Sequence, residues 1–94
     1  MTYGVIFEDA DDGGVGAYLP DMPGLGVVGR DRKEAREFIE QGVVMHVEGM
    51  IEAGDPLPEP SSLDGFTDTV EVSPELVRLA KAAERRPRTP SEES

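Results

Sequence analysis

The chain has 94 residues, 37% hydrophobic and 31% charged, with 20 acidic against 9 basic side chains and a net charge of −11; this length points to one domain with a thin core. The charge excludes a simple nucleic-acid binder, because phosphates repel it, and favours a basic protein partner. There is no Cys, so no disulfide scaffold or thiolate metal site, and no apolar run of membrane-span or signal-peptide length, so the chain reads as soluble and cytoplasmic.

Residues 3–8 are rich in β formers, with Tyr3, Val5 and Phe7 on one face and Ile6 on the other. They are the first predicted strand. The Asp- and Gly-rich stretch from Asp9 to Gly14 reads as a turn, and Val15 to Leu19 as the second strand of a hairpin. Pro20 and Pro23 exclude a central strand between them, and Leu25 to Gly29 suits a short third strand. Asp31 has the character of a helix N-cap, with Glu34 three residues on as in a capping box. The predicted helix runs to about Ala53 and stops at Gly54. Its apolar face is Ala35, Phe38, Ile39, Gly42, Val43, His46, Val47, Met50 and Ile51. Pro56, Pro58 and Pro60 enforce an extended segment. Thr69 to Val72 is a last strand. Ser73 and Pro74 then start a short amphipathic helix that ends near Glu84, before a disordered tail. The order β-β-β-α-β predicts an α+β fold, with a domain over 1–73 and a short helix and basic tail over 74–94.

The charge is unevenly placed. Residues 1–77 hold 17 acids and four bases, a net −13, and residues 78–94 hold three acids and five bases, a net +2. Catalytic chemistry finds little support. His46 is the sole His and falls on the helix's apolar face, where a packed imidazole is commoner than a general base; a hydrolase built on His46 and Glu48 is the enzymatic alternative. Asp9, Asp11 and Asp12 lack the calcium-loop spacing. Gly24 to Gly29 matches G-x-G-x-x-G in letters, but it starts at a turn and runs into a strand rather than opening a helix. No catalytic residue, metal ligand or cofactor is assigned. Thr69 to Leu76 followed by a basic helix is similar to the start of a ribbon-helix-helix DNA reader. Glu71 opposes phosphate there, and the chain stops at Ser94 where a second helix is needed.

Together these pieces resemble the HicB antitoxin family over about residues 3–73. They are the strand Tyr3-Gly4-Val5-Ile6-Phe7-Glu8, the Asp-Asp-Gly-Gly turn at 11–14, Tyr18-Leu19-Pro20-Asp21-Met22-Pro23-Gly24, and Gly29 with the Glu34-Ala35 pair. His46-Val47-Glu48-Gly49-Met50 and Gly54-Asp55-Pro56-Leu57-Pro58-Glu59-Pro60 complete the set. The family pattern is close to Pro-Asp-Leu-Pro-Gly followed by Cys; this chain has Met22 and Leu25 instead. The resemblance implies a partly degraded ribonuclease-H-like fold, a sheet with one long helix on it, and no enzymatic activity. Val5 and Ile6 stand where a nuclease of that fold would place a metal-binding Asp. It also implies a partner: HicA, a small basic toxin that cleaves mRNA and is neutralised when the antitoxin covers its active face. Many members add a C-terminal DNA-binding domain, which is expected to be absent or truncated here. An orphan regulator with weak DNA binding is the alternative.

The candidate partner contacts are Asp9, Asp11 and Asp12 in the first turn, Asp21 and Met22 in the proline loop, and Asp55 and Glu59 after the helix. Exposed edge strands and the short amphipathic helix suggest a homodimer or higher oligomer.

Overall fold

Strand alternation sets which face of the sheet is buried. In a computed structural model, described over residues 1–85, Tyr3 and Val5 of β1 (Thr2–Asp9) are buried and Phe7 is half-buried on the same face. β1 pairs antiparallel with β2 (Val15–Tyr18), placing Phe7 opposite Ala17 and Ile6 opposite Tyr18. β2 pairs with β3 (Gly26–Gly29), which sets Ala17 opposite Val27. β4 (Asp68–Glu71) pairs with the other half of β1, with Val70 opposite Tyr3. The four-stranded sheet therefore has the order β3-β2-β1-β4. Each strand lies within a residue or two of its predicted span.

α1 (Arg32–Ala53) lies over β3 and β2. Asp31 is extended, and its side chain accepts from the Glu34 N–H at 2.8 Å, satisfying one of the helix's orphan donors. The return half of the capping box is shifted by one residue: Glu34 Oε1 accepts from the Arg30 N–H at 2.9 Å. At the other end Gly54 adopts φ 75, the Gly54 N–H donates to Ile51 O and the Asp55 N–H to Met50 O. These two bonds are a Schellman closure, and its left-handed residue favours glycine. Ala35, Ile39, Val43 and Val47 form the buried ridge of α1. Each Val or Ile sealed there contributes about 1.5–3 kcal/mol relative to exposure.

α2 (Pro74–Arg85) is capped by Ser73, whose Oγ accepts from the Leu76 N–H at 3.2 Å. It packs on α1, and its Ala80 joins the same core as Tyr3 and Val47. The segment after residue 73 thus shares the core of the segment before it. The tail expected beyond the short helix lies outside the described residues. Arg32 ties the start of α1 to β4 through an ion pair with Asp68 and lies 4.4 Å over the Phe7 ring. Arg36 Nη2 donates to the Thr69 carbonyl at 2.7 Å.

Candidate functional site

The predicted contact residues fall at the two ends of β1. At one end the hairpin turn is closed by Ala10 N–H to Gly14 O at 2.8 Å and Gly13 N–H to Ala10 O at 3.1 Å. Asp12 Oδ1 accepts from the Gly14 N–H at 3.2 Å, the local Asx bond that makes Asp a turn residue. Asp9, Asp11 and Asp12 all stay exposed there. Asp12 borders a shallow open cleft of about 360 Å³, lined also by Val28, Gly29, Arg30 and Glu34. Arg30 and Glu34 are paired at 2.9 Å, and this bond holds the Glu34 carboxyl below the usual carboxylate range.

At the other end the proline segment crosses the sheet. Asp21 accepts from the Ser61 N–H at 2.8 Å and from Ser61 Oγ at 2.5 Å. The hydroxyl bond foremost, then the amide bond, lowers the Asp21 pKa. Asp21 is therefore engaged within the chain, pinning the proline segment to the β2–β3 loop. Met22 departs from its expected surface role: it is 1% exposed and packs in the core. The Met22 N–H donates to Leu19 O and the Met22 carbonyl accepts from the Leu25 N–H, and this turn directs the thioether inward. Asp55 and Glu59 are exposed. Glu59 shares a small cleft with Met1, Leu57, Lys81 and Glu84.

The structure thus brings Asp21 and Glu59 near each other, both acting on the Tyr3 phenol. It leaves the hairpin acids six residues further along β1, about 20 Å away at strand rise. Among the described residues no group of three or more His, Cys, Asp or Glu side chains is placed to hold a metal ion. His46 is half-buried and Glu48 exposed. Two residues apart on a helix they point to different sides, so they do not make the pair that a hydrolase reading needs.

The first strand, hairpin, proline loop, capped helix and returning strand now stand together in the expected order. A family model for the HicB-like antitoxin of bacterial toxin–antitoxin systems matches residues 3–87. The chain belongs to the HicB-like antitoxin family. In fold it is similar to the N-terminal domain of the Burkholderia pseudomallei antitoxin HicB, with a TM-score of 0.68 and 24% identity, covering 78% of this chain and 99% of that one. The crystal structure of the HicB antitoxin from the same organism gives a TM-score of 0.68 at 23% identity, over 82% of this chain and 67% of that one. A 14.9 kDa uncharacterized protein from the rep-hol intergenic region of Haemophilus phage HP1 is 29% identical over 79 residues, 84% of this chain. The chain spans 59% of that phage protein's length. The family so matched is one of antitoxins in bacterial toxin–antitoxin systems.

Sequence reasoning missed two apolar surfaces. On the outer face of α1, Phe38, Val44 and Met45 are exposed, although Phe38 was expected on the core side. On the outer face of the sheet, Tyr18 and Val28 are exposed and the Phe66 ring covers Gly4. The adjacent pair Val44-Met45, half outside the helix's apolar arc, was a readable signal for the first surface. Nothing local marked Phe66.

Proposed function

We propose that this HicB-like chain binds and neutralises a small basic, HicA-type, mRNA-cleaving ribonuclease by masking its active face. The observation that carries this reading is the family match over residues 3–87, on a body whose residues 1–77 bear a net −13. A basic RNA-binding surface is complementary to such a body, and complementarity chiefly speeds encounter and rejects wrong partners. The hairpin acids Asp9, Asp11 and Asp12 are exposed and form one candidate contact region. Glu59 and Asp55 form a second, separate region. Asp21 acts through the loop it pins. The partly degraded ribonuclease-H-like ancestry implied by the sequence fits a fold that binds without cutting. The setting is the cytoplasm, where an mRNA-cleaving toxin works, and no described helix is long and apolar enough to cross a membrane.

Co-expression with the product of the adjacent gene tests the proposal. A stable complex that abolishes ribonuclease activity is the expected result; a basic neighbour that neither binds nor loses activity overturns it. The proposal includes self-association through the open edge of β3 and the exposed side of α2, where Leu79 is 49% exposed. Light scattering is expected to give a dimer or larger species, and a monomer at every concentration removes this element.

The second reading, weak operator binding through residues 68–90, draws on exposed Arg78 and Lys81 of α2. Against it, β4 is already paired with β1, its Thr69 carbonyl is taken by Arg36, and Glu71 is bonded by Thr2. A gel shift by the full chain that vanishes without residues 74–94 would establish it.

A further inference from the structure

The outer face of α1 carries an apolar strip with a carboxylate border. Met45 is 71% exposed, Val44 41% and Phe38 39%. Met45 lies two residues from buried Val43, hence on the opposite side of the helix at ~100° per residue. Phe38 and Met45 are seven residues apart and fall on one line. Glu37, Glu40, Gln41, Val44 and Met45 border an open groove of about 460 Å³, and no atom would meet a Cβ at the neighbouring Gly49 within 4 Å. Glu40 is paired with Arg36 at 3.0 Å. Glu37, Glu48 and Glu52 have no ion-pair or hydrogen-bond partner among the described residues. Between Glu37 and Ala53 there is no Lys or Arg.

We infer that this face is a docking surface for a basic amphipathic segment of a protein partner, its apolar side chains seated on Phe38, Val44 and Met45 and its Lys or Arg side chains on the free glutamates. The charge pattern decides the occupant. A second copy docked α1 on α1 would set two carboxylate rows against each other, and such like-charge juxtaposition is costly; its basic α2 is already packed on its own α1 with Ala80 in the core. An anionic membrane is repelled for the same reason. A wholly apolar partner would desolvate the glutamates without pairing them. An apolar row flanked by cations satisfies both components, in the manner of a helix laid in a groove. The inference deepens the proposed function by giving the masked toxin a face to grip, and rests on that reading only for the partner's identity.

The test uses the full chain with two probes: the toxin encoded by the adjacent gene, and a synthetic helical peptide of Leu and Lys with Lys on one side. Both are titrated against wild type, Met45→Lys, the Glu37→Gln/Glu48→Gln double variant, and Leu63→Lys as a control on the exposed loop that precedes β4. Met45→Lys is expected to weaken both complexes by about tenfold or more, the scale of a lost anchor contact. The double variant is expected to weaken them and flatten their salt dependence, while Leu63→Lys binds as wild type. Equal binding of either probe to wild type, Met45→Lys and the double variant overturns the surface. A peptide bound in a Met45-dependent way by a chain that ignores the toxin leaves the surface standing and removes toxin neutralisation. A toxin bound equally by Met45→Lys does the reverse, and wild type that binds neither probe removes both.

Discussion

The Tyr3 hydroxyl donates a hydrogen bond to the carbonyl oxygen of Pro58 at 2.7 Å. It joins the central strand to the extended proline segment across 55 positions of sequence. Polyproline geometry makes no internal hydrogen bonds, so this segment depends on such outside anchors. The Asp21–Ser61 pair is the second anchor, and Leu57, buried beneath the segment, is the third.

Tyr3→Phe keeps the ring and removes the anchor. It is expected to cost about 1–2 kcal/mol, the penalty for leaving the Pro58 carbonyl without its donor, measured by urea unfolding. The phenol also makes an alkaline signature. Burial, and then the Glu59 and Asp21 carboxylates, push its pKa from 10.0 up to about 12. A value raised on folding contributes stability that is complete below pH 10.0 and is lost as pH rises toward about 12, because the unfolded chain releases the proton first. The loss of stability with pH across that window is expected to be shallower in Tyr3→Phe than in wild type. An unchanged slope contradicts the burial argument.

Asp21 gives the opposite dependence. Its pKa is lowered by the two Ser61 bonds, so its contribution is present above the unfolded carboxylate value and fades as pH falls through the folded one. Acidification below about pH 4 is expected to release the proline segment. Hydrogen exchange at the Ser61 amide reports this directly. Asp21→Ala should speed that exchange at neutral pH and remove its acid dependence; slow exchange retained in the variant would show that the amide is protected by something other than Asp21.

Two glycines separate backbone from side-chain crowding. A Cβ on Gly29 would lie 2.5 Å from the Ala35 nitrogen and 2.9 Å from its Cα, in the first turn of α1. A Cβ on Gly4 would lie 2.4 Å from Phe66 Cδ1, a ring on a loop. Gly29→Ala is therefore expected to cost about 3 kcal/mol, the upper part of the overpacking range, and Gly4→Ala about 1–2 kcal/mol. Thermal melts of Gly4→Ala with Phe66→Ala should show partial recovery relative to Gly4→Ala alone. Recovery of Gly29→Ala by the same second change would mean that the two sites are coupled and the backbone clash is not the cause.

Elements governed by neighbouring residues were legible in the sequence. Asp31, Gly54 and Ser73 each announce a helix end because capping acts over three or four residues, and the β1 alternation put Tyr3, Val5 and Phe7 on the buried side. The remainder depends on distant packing. Phe38 belongs to the apolar arc by spacing, yet lies at its margin and stays exposed, while the core is completed by smaller residues at 35, 39, 43 and 47. Met22 sits in a proline loop that reads as surface, and a tight turn carries it inward. Asp21 reads in sequence as a partner contact, and only the fold brings Ser61, 40 residues on, against its carboxylate. The expected contacts were thus sorted by tertiary structure into exposed turn acids, an internal anchor and a core residue.

The hairpin acids carry the electrostatic part of the proposed function and can be tested apart from the grip of α1. Asp9, Asp11 and Asp12 are solvent-exposed at one tip of the sheet, and substituting all three with Asn leaves the turn's Asx bond at position 12 feasible through the amide oxygen. Net charge over residues 1–77 drops in magnitude from −13 to −10. Surface charges of this kind act mainly on encounter. The triple variant is therefore expected to associate with the basic toxin several-fold more slowly, roughly threefold to tenfold at low salt, with little change in the dissociation rate. Stopped-flow mixing across a salt series checks this, since the gap between wild type and variant should close as the Debye length shrinks. A faster dissociation with unchanged association would move these acids from steering into the bound contact itself.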